Sequence, residues 1–513
     1  MANRAAPLFA HAQRWPDRQA LHFEGSTYSF ADLAERASAI AGGLARLGIR
    51  QGVHVGLLLP TSYDFIAVQQ ALFVLGAVIT PLNTQYRPEE VRHAIGCCDL
   101  THIVTTEECA SALASISHIV NGACSIIAVD APADDDSIRS LSGATGTSPP
   151  IHTLTEVAPN DPVMQLLTSA TTGKAKGVIL TAGNLAANYD RTPGWLGMNE
   201  DSVILCALPL YNTFGLNQCI NAMLVTGAML VLLPKFDAGR CIAAIAERGC
   251  TFLPAVPTML QKILDHPDAA RHSLSSLTHI MTGGAPVPSV MLRRLKEVAP
   301  DTTLLTGYGL TEATALVTLT EICLGPDGEL ERGRTIGRVL DGMDLRIADD
   351  DGRPVPPHAI GEILVRGPNI MAGYYHARED TTAALRNGWL HTGDIGYLDE
   401  DGYAFIVDRK KDVIIRGGQN IYPADIEEIL YHCPGIAEAA VVGIPDDLLG
   451  EVPVAFISLR PGAECNIAAI MEHCRASLAH YKLPVAIHVQ DQLPKGPTGK
   501  ILRRALRPGK IAA

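Results

Sequence analysis

The stretch TSATTGKAKGV, residues 168–178, sets four hydroxyl side chains, two glycines and two lysines into one short segment between apolar runs. Before it, residues 162–167 (PVMQLL) read as a buried strand, and after it residues 178–180 (VIL) resume apolar character, so the segment is expected to be a tight turn between strands. Backbone N–H groups of such a turn can form a nest for an anion. The hydroxyls of Thr168, Ser169, Thr171 and Thr172, with Lys174 and Lys176, would add donors and charge. The segment therefore reads as a phosphate loop, although its composition equally suits a solvated, flexible loop. It is not a Walker loop, because Gly173 and Gly177 lack the Gly-x-x-x-x-Gly-Lys-Ser/Thr order and no helix pattern follows directly.

The chain has 513 residues, too many for one ordinary core, and its 47% hydrophobic content is ample for two or three folding units. Lys and Arg number 41 against 54 Asp and Glu, a formal charge of -13 that argues against nucleic acid as a partner and confines any phosphate binding to local basic groups. Twelve cysteines are scattered without Cys-x-x-Cys spacing, the one adjacent pair being Cys97-Cys98. Neither a disulfide framework nor a structural zinc site is expected. Nothing at Met1-Ala2-Asn3-Arg4 resembles a secretory signal, and a reducing cytoplasm fits best.

Residues 202–234 carry no charge, which would suit a membrane span. Pro209, Asn212, Asn217, Gln218, Asn221 and Gly227 interrupt the run, however, so it reads as strand (203–208), loop, apolar helix and second buried strand (229–233), with no transmembrane segment. Similar βα alternation at residues 53–59, 63–75 and 78–79 implies units flanking a largely parallel sheet. A helix begins after Ser29, which can cap it with Asp32 three residues on; Leu33, Ala37, Ile40, Leu44 and Leu47 repeat on one face, and Gly48 ends it. Residues 130–150, rich in Asp, Ser, Gly and Pro, are expected to be an exposed connection. Near the end, Asn466 caps a helix with Ile467, Ile470, Met471, Cys474 and Leu478 on one face. The charged run Asp408-Arg409-Lys410-Lys411-Asp412 after a strand at 404–407 reads on its own as a hairpin turn, and Arg503, Arg504, Arg507 and Lys510 read as a solvated basic end.

Six further segments follow the loop in a fixed order: PLYNTFGLN (209–217), GGAP (283–286), YGLTE (308–312), WLHTGD (389–394), DRKKDVIIRGGQNIYP (408–423) and PKGPTGK (494–500). Together they resemble the adenylate-forming superfamily of acyl-CoA synthetases, luciferases and peptide-synthetase adenylation domains, most of all the acyl-CoA synthetases. The match spans nearly the whole chain, and an ordered set is far more specific than any single motif. The resemblance implies an α/β fold: a large N-terminal domain, residues 1–410, of βα-type subdomains with a β-barrel-like part, and a small mobile α+β C-terminal domain, residues 411–513.

What the resemblance implies for chemistry is ATP-dependent activation of a carboxylic acid. The carboxylate attacks the α-phosphate, pyrophosphate leaves, and the acyl-adenylate passes its acyl group to coenzyme A. Both reactants are anions, so lysine and Mg²⁺ must neutralise charge and water must be excluded. Thr168, Ser169, Thr171, Thr172, Gly173 and Lys174 would hold the triphosphate, Lys176 matches the family's loop lysine, and Gly284, Ala285 and Pro286 border the nucleotide. Ala170 and Ala175 stand where the family usually has Gly and Pro. Tyr308 would stack on adenine, Thr311 contact the α-phosphate and Glu312 bind the metal. Asp394 would accept the ribose hydroxyls with Arg409 beside it, and Lys500 would reach the carboxylate and α-phosphate during adenylation.

For the second step, Lys411 is implied as the hinge, and Gly417 and Gly418 as the border of the thiol tunnel. The acid pocket is implied at Tyr211, Asn212, Phe214, Gly283 and Gly309, with Asn212 where the family often has His. Residues 203–234, 281–292 and 304–320 contain no Lys, Arg or His, so a second carboxylate would lack a counter-ion and an apolar medium-chain or aryl monocarboxylic acid is expected. Two other functions use the same residues: an adenylating ligase that loads the phosphopantetheine of a carrier protein, and a non-catalytic nucleotide-binding relic. Joint retention of Lys176, Glu312, Asp394, Arg409 and Lys500 weighs against the relic.

Overall fold

The computed structural model describes residues 3–114, 124–134, 138–168, 175–270, 274–283, 287–326, 329–333, 335–460, 462–496 and 501–507. Short Val- and Ile-rich runs alternate with helices and assemble a first sheet in which Val78–Pro81, His54–Leu58, His102–Thr105, Ser125–Ala128 and Ile138–Ser140 lie parallel in that order. On the other flank Pro162–Leu167 pairs parallel with Val78–Pro81 and antiparallel with Gly177–Thr181. Gly373–Tyr374, from some two hundred residues later in the chain, adds the edge, with Gly373 opposite Ile179 and Tyr374 opposite Val178.

The helices expected from the sequence cover these strands. Ser29 caps Phe30–Arg46: its Oγ accepts from the Asp32 N–H at 3.1 Å while Asp32 accepts from the Ser29 N–H at 2.8 Å. Leu33, Ala37, Ile40 and Leu44 of that helix are fully buried in one core with Tyr63–Val74 and the strands. Residues 130–150 depart from the exposed connection expected of them. They form the edge strand Ile138–Ser140 and the helix Leu141–Gly146, with Ile138, Ser140, Leu141 and Ala144 buried. The cause lies in the long helix, where Gly42 and Gly43 leave room: an added Cβ would stand 2.1 Å from the Pro149 carbonyl oxygen and 2.6 Å from Thr145 Oγ1.

The second sheet changes direction part-way. Gln19–Phe23, Met229–Leu232, Val203–Cys206, Phe252–Ala255, His279–Gly283 and Thr303–Leu310 pair in parallel. From Thr303–Leu310 onward the pairing is antiparallel, through Ala315–Glu321, Thr335–Val339, Ala404–Arg409, Trp389–Leu398, Gly361–Arg366 and Asp344–Ala348, in an open order whose end strands, among the described residues, do not pair with each other. The uncharged run between Val203–Cys206 and Met229–Leu232 is helical with a π segment, Leu216–Asn221, between Thr213–Gly215 and Ala222–Thr226. Two of its buried amides join a polar ladder: Asn217 Nδ2 donates to Thr192 Oγ1 at 2.9 Å, Asn221 Nδ2 to the Tyr189 carbonyl at 2.6 Å, and Arg4 to Asn221 Oδ1 at 2.8 Å.

The third sheet has its own two cores and takes its strands only from the C-terminal part of the chain: Gln419–Ile421, Ile414–Arg416, Gly450–Leu459 and Ile436–Asp446, with Ala486–Val489 alongside. Pro423–Tyr431 and Ile467–Ser477 pack against it, and Asn466 caps the latter by accepting from the Ala469 N–H at 3.0 Å. Among the described residues, no helix is long and apolar enough to cross a membrane.

Candidate active site

Thr303–Leu310 is the strand at which the second sheet switches from parallel to antiparallel pairing. The YGLTE segment occupies its carboxyl end. A bulge falls between Tyr308 and Gly309, and a Cβ on Gly309 would lie 1.7 Å from the Ala315 carbonyl oxygen, so only glycine allows the two strands to approach there. Thr311–Ala313 makes one tight turn, after which Thr314 and Ala315 hold positive φ of 64° and 151°. The strain is held by one backbone and one side-chain donor from outside: Met371 N–H donates to the Glu312 carbonyl at 2.9 Å, and Asn369 Nδ2 to the Ala313 carbonyl at 2.9 Å.

Tyr308 and Asp394, separated by more than eighty residues, meet beside this strand. Tyr308 donates its hydroxyl to Asp394 Oδ2 at 2.5 Å, and Arg409 Nε lies 3.1 Å from Asp394 Oδ1. Antiparallel register puts Asp394 opposite Arg409, and the Asp394 N–H donates to Thr392 Oγ1 at 3.1 Å, which fixes the turn carrying it. Asp394 is 4% exposed, whereas about half of the Arg409 side chain meets water. Burial, followed by the Asp394 charge, drives the Tyr308 phenol well above its ordinary range, so it stays protonated and remains a donor.

The loop's two ends are pinned together. Thr168 N–H donates to the Lys176 carbonyl at 3.0 Å and Thr168 Oγ1 accepts from the Lys176 N–H at 3.2 Å, while His93 Nε2 and the Ala175 carbonyl oxygen are 2.7 Å apart. Lys176 Nζ pairs with Asp380 at 2.5 Å and stands 5.2 Å from the Tyr374 ring. Tyr374 in turn donates its hydroxyl to Glu312 Oε1 at 2.9 Å. Burial and the Glu312 charge push the Tyr374 phenol far up, so it too remains a donor. Lys176, Asp380, Tyr374 and Glu312 thus link the loop to the YGLTE turn. Tyr374 and Asp380 escape the sequence reading, because they arrive through the remote edge strand Gly373–Tyr374 and the helix Arg378–Ala384.

Of the acid-pocket residues, Gly283 pairs with Gly307 across adjacent strands, and Phe214 packs against the main core. Asn212 is an N-cap: its Oδ1 accepts from the Gly215 N–H at 3.1 Å. Gly215 itself leaves no room for a side chain, since a Cβ would meet the Pro209 carbonyl oxygen at 2.2 Å. Burial pushes the Tyr211 phenol up to about 12, as it does that of its neighbour Tyr86. Arg4 reaches the π segment from outside the three segments without basic residues, but Asp190 neutralises it at 2.6 Å.

The chain passes from the second sheet to the third over residues 410–413, between the strands Ala404–Arg409 and Ile414–Arg416. Lys410 N–H still donates to the Gly393 carbonyl at 2.9 Å and Lys410 Nζ lies 2.8 Å from Asp350, whereas Asp412 has Arg503 at 3.6 Å and Arg507 at 3.7 Å. Lys411, exposed, stands between these anchors. Gly417 and Gly418, with φ of 56° and 81°, form the two-residue turn of the hairpin joining Ile414–Arg416 to Gln419–Ile421. Ser169, Ala170, Thr171, Thr172, Gly173, Lys174, Gly284, Ala285, Pro286 and Lys500 lie outside the described residues.

The pinned loop ends, the Glu312 turn and the buried Asp394 carboxylate thus lie along the strand Thr303–Leu310 and its neighbours in an α/β framework. Residues 8–375 match the model of the AMP-binding enzyme family, and residues 425–500 match that of its C-terminal domain. The chain belongs to this family, within the adenylate-forming superfamily and on its acyl-CoA synthetase side. It is 35% identical to a 2-succinylbenzoate–CoA ligase of Bacillus cereus over 98% of this chain and 97% of that one. Among solved structures it resembles ATP-bound MatB of Rhodopseudomonas palustris (TM-score 0.89, 29% identity, 99% of this chain and 98% of that one). It also resembles the O-succinylbenzoate coenzyme A synthetase of Bacillus subtilis with ATP and a magnesium ion (TM-score 0.84, 29% identity, 98% of each chain).

Proposed function

We propose that this protein uses ATP to activate an aryl or medium-chain monocarboxylic acid as an acyl-adenylate and then transfers the acyl group to coenzyme A. The observation that carries the reading is the convergence of the pinned loop, Glu312 and the Tyr308–Asp394–Arg409 group at one switch point. In this reading Asp394 accepts the ribose hydroxyls with Arg409 beside it, and Tyr308 packs on adenine while its hydroxyl orients Asp394. Residues 168–174 and Lys176 hold the phosphates, exchanging the Asp380 carboxylate for phosphate oxygens when ATP enters, and Gly284, Ala285 and Pro286 line the nucleotide's other side. Thr311 contacts the α-phosphate.

Glu312 suits Mg²⁺, since one of its oxygens is oriented by Tyr374 and a hard cation takes its remaining ligands from phosphate and water. Bound there, the ion would offset the charge of the triphosphate. Lys500 neutralises the reacting oxygens in the first step. Residues 1–410 and 411–513 act as two bodies that turn about Lys411, bringing Gly417 and Gly418 to the thiol for the second; the separate third sheet and the anchors on either side of Lys411 support this. Coenzyme A is favoured as acceptor over a carrier protein by the similarity to CoA ligases. With all cysteines of the described residues free, a cytoplasmic setting fits.

The acid sits against Tyr211, Asn212, Phe214, Gly283 and Gly309. Similarity to a ligase named for an aryl acid supports a ring-sized body; that acid carries two carboxylates, so the single carboxylate proposed here rests on the lack of Lys, Arg and His along 203–234, 281–283, 287–292 and 304–320 alone. Octanoate, benzoate and malonate, compared at equal concentration by pyrophosphate release, test this: malonate should be the poorest, and malonate as the best of the three would overturn the apolar reading.

A further inference from the structure

Arg503 reads in the sequence as one of a solvated basic tail, yet its guanidinium is set among three carboxylates. Its NH2 group donates to both oxygens of Glu427, at 2.9 and 2.7 Å, and Nε donates to Glu427 Oε1 at 3.2 Å. Its NH1 group donates to Asp408 Oδ1 at 3.2 Å and lies 3.6 Å from Asp412. Asp408, whose side chain is 3% exposed, also accepts from the N–H of Arg409 at 2.8 Å and, through Oδ2, from the N–H of Ala424 at 3.1 Å in the first turn of Pro423–Tyr431.

These partners fall on opposite sides of Lys411. Asp408 lies in the strand Ala404–Arg409, and its register opposite Ile395 keeps it in the second sheet. Ala424, Glu427 and Arg503 all lie beyond Lys411 and pack with the third sheet. A rotation at Lys411 therefore leaves the Arg503–Glu427 pair intact, because both members travel together, but takes Arg503 and the Ala424 N–H away from Asp408 at once. A bridge from Ser289 Oγ to Glu428 Oε1, at 2.7 Å, crosses the same boundary and would open with it.

We infer that Asp408 is a positioning residue, a latch whose buried carboxylate holds Arg503 and the Ala424 N–H and so keeps the small domain in the orientation described here. The inference rests on the pivot at Lys411 proposed above. Asp408 touches no substrate; it acts by biasing the equilibrium between two domain orientations, and a contact made in only one of two states shifts their populations by its full differential strength. Burial raises the Asp408 pKa to about 6 while Arg503 pulls it down, so the charge is expensive to keep in place and becomes cheaper to solvate once the domain has turned. A latch of this kind is firm without being permanent.

The test uses the full chain with fluorophores carried by unnatural amino acids at the exposed positions 351 and 472, one on each side of the boundary, and assays the two half-reactions separately: ATP–pyrophosphate exchange, and thioester formation from supplied acyl-adenylate. Asp408→Ala should move the distance distribution away from that of the parent chain and change the ratio of the two half-reaction rates by about 5-fold or more. Asp408→Asn, which keeps the volume and one acceptor and leaves Arg503 on Glu427, should give a smaller change of the same sign; it also serves if the alanine variant fails to fold. A purely structural role would lower both rates together with an unchanged ratio, and that result would overturn the latch. Lys411→Pro separates the two ideas. If it splits the half-reactions while the Asp408 variants leave the ratio alone, the pivot stands and the latch falls; if it leaves distances and rates unchanged, the pivot falls and the latch with it.

Discussion

Asp394 concentrates three features on one carboxylate: burial, a phenol that cannot lose its proton, and an arginine open to water on its outer side. A ligand with two vicinal hydroxyls can engage such a group without leaving a buried charge unpaired, because Tyr308 and Arg409 already share it. Asp394→Ala is expected to raise KM for ATP on the order of 10- to 100-fold, the loss of a charge-assisted pair of hydrogen bonds, with thermal unfolding used to confirm the fold. An unchanged KM in a folded variant would place the ribose elsewhere. Lys500 has a different signature. Lys500→Ala should lower adenylation about 100- to 1000-fold, as loss of one preorganised donor does, yet leave thioester formation from supplied adenylate near normal; equal damage to both would remove Lys500 from the first transition state.

At the scale of elements, Gly309→Ala is the sharpest probe. The added Cβ has backbone on its far side, 1.7 Å away, so the pairing of Thr303–Leu310 with Ala315–Glu321 must open at the bulge that carries Tyr308 and Thr311. Adenylation should fall at least about 10-fold together with a lowered melting temperature, whereas wild-type values would mean that the bulge can relax. Elements were legible in the sequence wherever the signal was local. The strands on either side of the loop, the Ser29 capping box and the Asn466 cap all stand where their residue patterns put them. Signals that depend on remote partners were not legible. Residues 138–146 form structure because Gly42 and Gly43 open a seat for them, Tyr374 reaches the loop through a strand pairing across the chain, and Arg503 is drawn out of solvent in part because Asp408 and Glu427 converge on it. Charge and glycine content along the chain report solvation, and none of these three cases is decided by local composition.

For the whole molecule, the geometry joins a site assembled from the first two sheets to a third sheet that follows residues 410–413 and is held to the second by Asp408 with Arg503 and Ala424. An enzyme that must first neutralise two anions and later admit a thiol has opposite needs at the same centre, and moving one body against another meets both in turn. The central claim is that this arrangement activates a carboxylic acid with ATP and hands it to coenzyme A. It is tested most directly by following pyrophosphate and AMP release from the purified protein with ATP, Mg²⁺ and a panel of aryl and alkyl acids, with and without coenzyme A. The account predicts pyrophosphate release that requires an acid, sustained turnover only when coenzyme A is present, and one acyl-CoA formed per AMP. Failure of every acid in the panel to release pyrophosphate, or turnover indifferent to coenzyme A, would contradict it.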